Sequence, residues 1–98
     1  MKRVPASDFP VLRRVFSGYL HEDFLEDYDT PAGALRAFED DADEDERRRF
    51  RAEARRFLAV TARLDFADVL VLLSRLGSRW TPSTREALIA ALTGASDR

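Results

Sequence analysis

The chain carries a single histidine, His21, and three carboxylates follow it closely at Glu22, Asp23 and Glu26. Brought together, these four side chains could hold a divalent cation and activate a water for hydrolysis. Their types argue against that chemistry. A transition-metal site draws on more than one nitrogen or sulfur ligand, and a calcium loop needs a glycine turn that this segment lacks. There is no cysteine and no glycine-rich phosphate loop, so thiol nucleophiles, disulfides and P-loop chemistry have no parts to use. The expectation is a protein without catalytic residues, metal or cofactor, and so not an enzyme. His21 is expected to close the helix that precedes it, bonding free carbonyls or a nearby carboxylate.

The basic residues offer a second chemistry, phosphate binding. Arg47, Arg48, Arg49, Arg51, Arg55 and Arg56 are dense in sequence but spread around one helix, and they adjoin an acidic block. A nucleic-acid footprint needs positive charge that its neighbours do not cancel, so no nucleic-acid partner is expected. The six arginines read instead as a solvated face laced with weak ion pairs.

The acidic residues do not read as ordinary surface. Between His21 and Glu46 there are twelve acids and one base, Arg36, a net −11 inside a chain of net −2. A single-sign patch of that density speeds encounter with a basic partner and selects against acidic ones. Phe24, Leu25 and Tyr28 lie inside it. Phe24 and Leu25 are expected to pack on the core, while Tyr28 serves equally as core residue or interface anchor.

The elements that must position these groups are helical. Phe9, Leu12, Phe16, Tyr19 and Leu20 form one stripe, with Asp8 as N-cap and Pro10 in the first turn. A short piece over 22–28 follows, then a helix restarted by Thr30 and Pro31 with Leu35 and Phe38 inward. The acids from Glu39 to Glu46 lead into a long helix whose positive dipole end they offset. Its pairs Glu44–Arg48, Asp45–Arg49 and Arg49–Glu53 have i,i+4 spacing, and its inner stripe reads Phe50, Ala54, Phe57, Leu58, Thr61 and Leu64. Asp65 is expected to cap a helix bearing Phe66, Val69, Leu70, Leu72, Leu73 and Leu76, apolar nearly all round and so the centre of the bundle. Gly77 ends it. Ser83 and Glu86 form a capping box for a last helix with Leu88, Ala91 and Leu92 inward, stopping at Gly94; Trp80 reads as a core or lid residue.

The fold class is therefore all-α, a single compact bundle of about five helices over one domain, residues 1–98. The longest aliphatic run, residues 69–73, is far short of a membrane span. Lys2 and Arg3 are followed by no apolar stretch, so a secretory signal is not expected and a cytoplasmic address is.

The string Phe9-Pro10-x-Leu12-x-x-x-Phe16-x-x-Tyr19-Leu20-His21-x-Asp23, followed by Tyr28 and the Thr30-Pro31 helix start, resembles a known family. It is similar to the small helical immunity proteins of contact-dependent growth inhibition systems, the CdiI immunity family. Members open with a Phe/Tyr-Pro-x-Leu helix and a Tyr-Phe/Leu-His-x-Asp string, then a Ser/Thr-Pro helix, an acidic stretch and a long helix. The likeness covers the first forty residues closely and the rest in general layout, and Phe24 stands where members often carry Trp or Tyr. The resemblance implies a non-enzymatic inhibitor that binds the C-terminal toxin domain of a large secreted effector. Many such toxins are nucleases with cationic clefts, which an acidic face suits. The partner-binding residues are expected to be Glu22, Asp23, Glu26, Asp27, Tyr28, Asp29, Glu39, Asp40 and Asp41, with Tyr19 and His21 supporting the fold of that corner and the free protein a monomer. The alternative is a helical protein–protein adaptor with no toxin partner, its acidic edge serving solubility or an unrelated basic protein.

Overall fold

Helix α1, Pro10–Tyr19, begins with proline at its first position and buries Val11, Leu12, Val15 and Phe16 along one face. In the computed structural model, which describes residues 5–21 and 30–96, it is preceded by a 3-10 turn, Ala6–Asp8. Helix α2, Pro31–Asp41, starts as its Thr-Pro pair dictates, with Thr30 Oγ1 accepting from the Gly33 N–H at 3.0 Å. Helix α3, Glu44–Thr61, is capped by Asp43, whose Oδ1 accepts from the Glu46 N–H at 2.8 Å. Helices α4, Phe66–Arg75, and α5, Arg85–Ser96, complete an all-α fold of five α-helices among the described residues. The piece expected over 22–28 lies outside the described residues.

Five phenylalanines hold the centre. Phe57 meets Phe9 edge-on at 5.3 Å between ring centroids and Phe16 at 6.4 Å, and Phe38 lies 5.1 Å from Phe50. Around them Leu12, Leu20, Leu35, Leu73, Leu76, Leu88 and Leu92 are fully buried. The backbones approach most closely between α2 and α5, and α1 packs on both α2 and α3. Helix α4 is not the centre that its composition implies. It buries Val69, Leu72 and Leu73 but leaves Val71 half exposed, and its backbone stays farther from the other helices. Apolar content places a helix at the core boundary but does not say how many sides are covered.

The link after α4 locks the other end of α1. Gly77, at φ +90°, terminates α4 with paired bonds from Ser78 N–H to Leu73 O and from Gly77 N–H to Ser74 O. A Cβ on Gly77 would stand 2.8 Å from the Ser17 Cβ, so glycine is required both by its conformation and by the approach of α1. Two residues on, the Arg79 N–H donates to Leu20 O at 2.8 Å, satisfying a carbonyl just past the end of α1. Trp80 packs half-buried against the core. Helix α5 is capped one residue later than the sequence pattern indicates, by Thr84 Oγ1 accepting from the Ala87 N–H at 3.1 Å, and it runs on through Gly94. Arg85 then reaches back to the carbonyls of Thr61 and Leu64 and closes the end of α3.

Candidate functional site

Among the described residues, the carboxylates between Glu39 and Glu53 fall into three physical situations, and the difference decides which of them can meet a partner. The first is burial in service of the fold. Glu53 is only 8% exposed, and its carboxylate accepts from the Val11 N–H at 3.0 and 3.1 Å and from the Leu12 N–H at 3.0 Å. It therefore caps α1 from 41 residues away, in place of Asp8, whose side chain makes no cap bond. A charge-assisted pair of bonds at a helix N-terminus, out of water, is among the stronger arrangements available to a carboxylate. Of the two i,i+4 partners expected for Arg49, it takes Asp45, at 3.0 Å, while Glu53 is turned to α1. Asp8 gives its backbone carbonyl to Arg56, whose guanidinium lies 5.0 Å from the Phe9 ring centroid.

Glu39 belongs to the same class. Four residues after Leu35, it falls on the inner face of α2 and is 3% exposed. Arg51 Nη2 donates to its Oε2 at 3.0 Å, while Glu39 Oε1 and Arg51 Nε have no hydrogen-bond partner. Of the three acids ending α2, Glu39 thus faces inward and is not available as a surface contact.

The second situation is a helix start. Asp43, Glu44, Asp45 and Glu46 surround the first turn of α3, where carboxylates offset the positive end of the helix dipole. Arg48 bonds to Asp45 at 2.8 Å and Arg49 stands beside it, which holds the Asp45 carboxyl below its ordinary value. These acids have local reasons to be there.

The third situation is the end of α2. Asp40 and Asp41 are exposed in the last turn, where the dipole disfavours anions, and no basic residue of α2 lies in that turn. Arg47 donates to the carbonyls of Glu39 and Ala42 and so supplies the cation that the helix end wants, but from α3. Tyr19 Oη donates to Asp41 Oδ2 at 3.0 Å, and the Tyr19 ring meets Phe38 edge-on at 5.8 Å. Tyr19 thus fixes the corner where α1 ends and α2 ends, and His21 follows it half-buried. Six of the expected partner-binding residues, Glu22, Asp23, Glu26, Asp27, Tyr28 and Asp29, lie outside the described residues. So do three of the four side chains in the metal reading of His21. In sequence, the segment that carries them joins this same corner to the Thr30 cap of α2.

Among the described residues no helix is long and apolar enough to cross a membrane. A model of the CdiI immunity protein family matches residues 8–89. The match spans α1 to α4 and the first part of α5, most of the chain, and the chain belongs to that family. Membership makes it a toxin-neutralising immunity protein, of a family that is generally non-enzymatic and binds a cognate toxin. No curated protein and no solved structure matches it.

Proposed function

We propose that this chain neutralises the C-terminal toxin domain of a contact-dependent growth inhibition effector by one-to-one binding in the cytoplasm, through the acidic edge at the ends of α1 and α2. Asp40 and Asp41 are the contacts on that edge, and Glu22, Asp23, Glu26, Asp27, Tyr28 and Asp29 are proposed as further contacts of the same partner. Glu39 supports it from within. The observation behind this reading is the pair of exposed carboxylates at the C-terminal end of α2, placed against the helix dipole. Tyr19 bonds Asp41 there, but an uncharged acceptor would serve that bond equally, so negative charge at this pole is what a surface meeting cations adds.

A toxin with a nuclease active site fits this edge, because a cleft that holds phosphate is cationic and an acidic face can occupy it. The test begins at the gene immediately upstream: a very large secreted protein there is expected, and its C-terminal fragment is then co-expressed with this chain and pulled down, whereas its absence would favour the adaptor reading. Stoichiometric capture and rescue of toxin-expressing cells are expected. Absence of capture, or rescue that persists when the acidic edge is neutralised, would move the interface or remove the reading.

A further inference from the structure

A cleft of about 280 Å³ opens beside Asp41, between α1, the end of α2 and the first turn of α3. Its apolar lining is Val15, Tyr19, Phe38 and Ala42, and its charged groups are Asp41, Glu46 and Arg14. Gly18, exposed at the cleft's edge, also lines it, and a Cβ built there meets no atom within 4 Å, so a side chain can be added without a clash. Gly18 lies inside a helix, where it is less favourable than alanine, and the packing of the free protein gives no return for it.

We infer that this cleft receives one long basic side chain, an arginine or a lysine, of the toxin domain; the inference rests on the toxin-binding reading above and names its anchor. Two carboxylates against one guanidinium leave the lining net negative; of the cations close by, Arg47 is committed to the carbonyls of Glu39 and Ala42, and Arg48 and Arg49 to Asp45. An acidic guest is repelled, and a purely apolar one would desolvate Asp41 and Glu46 without giving them a partner. A basic side chain satisfies both demands. Its methylene stem lies along the half-buried Tyr19 ring, over a floor formed by the buried Val15, Phe38 and Ala42, and its charged head meets the carboxylates. Tyr19 Oη already fixes Asp41 through one oxygen at 3.0 Å, so the carboxylate is oriented before the guest arrives. The guest displaces little: the Arg14–Glu46 contact is 3.7 Å long and exposed on both sides, a pair of the kind that contributes weakly.

Two variants of the full chain test the anchor, each titrated by calorimetry with the toxin domain that the pull-down captures. Gly18→Leu fills the cleft without touching charge. Asp41→Asn with Glu46→Gln removes charge while leaving an acceptor for Tyr19. Both are expected to weaken Kd by roughly thirtyfold or more, the size of a hot-spot contact. Gly18→Leu should melt no lower than wild type, because it replaces a helical glycine. On the toxin side, changing one arginine or lysine to methionine should reproduce the loss. Binding of both variants within about twofold of wild type, or a toxin in which no single basic residue matters, overturns the anchor. Failure of the wild-type chain to bind overturns the toxin reading itself, before any variant is compared.

Discussion

Helix α2 ends and helix α3 begins on either side of Ala42 and Asp43, and acids crowd both ends. On the α3 side the carboxylates agree with the backbone. Asp43 caps an N–H, Glu44 to Glu46 sit at the positive pole, and Asp45 is held by Arg48 and Arg49. On the α2 side they oppose it, since Asp40 and Asp41 stand at the negative pole. Identical chemistry therefore has opposite meanings two residues apart. Charge density alone marks a region of interest, and orientation relative to the helix separates acids that build the fold from acids kept in spite of it.

The contrast can be broken or sharpened by substitution. The largest stability effect is expected where a carboxylate serves the fold from inside. Glu53→Ala strips two N–H groups at the start of α1 of their acceptor and should cost about 2–5 kcal/mol in chemical denaturation. Asp43→Ala removes a single exposed cap and should cost about 1 kcal/mol by the same measurement. Asp40→Asn with Asp41→Asn should do the reverse. Relieving two anions at the wrong pole should leave stability unchanged or raise it by about 0.3–1 kcal/mol in low salt. A loss comparable to that of Asp43→Ala would mean that these two acids also build the fold, and the distinction between the helix ends would collapse.

Local signals were legible in the chain to the extent that physics is local. Thr30 before Pro31 starts α2, and Gly77 ends α4, because a hydroxyl cap and a left-handed terminus are decided within a few residues. The inner faces of α3 and α5 follow from spacing in the same way. Glu53 did not, because its partners are 41 and 42 residues away and helical spacing offers it Arg49 instead. Glu39 carried a readable sign, its place one turn after Leu35, which the surrounding acids obscured. For α4, apolar composition left open which side meets solvent, and Val71 answers that only in three dimensions. At the start of α5, Ser83 and Thr84 are both competent caps in sequence, and the backbone uses the second.

Of the candidate surface, the acidic block was evident from sequence, and so was the helix-starting role of its second half; that Glu39 turns inward and Asp40 and Asp41 close α2 was not. Tyr19 was readable as a support of this corner, and its bond to Asp41 is that support. The cleft beside it has no sequence signature, since its lining comes from three helices whose approach is set by the core.

The central claim is that the outward acids exist for a cationic toxin surface. The most direct measurement is the stopped-flow association rate of this chain with the toxin domain it captures, across a salt series, for wild type and for Asp27→Asn, Asp29→Asn, Asp40→Asn and Asp41→Asn combined. The account predicts a wild-type rate that falls steeply with salt. The variant should associate roughly tenfold or more slowly at low salt, with a flattened slope and an unchanged helical melt. Equal rates and equal slopes for the two proteins would contradict it.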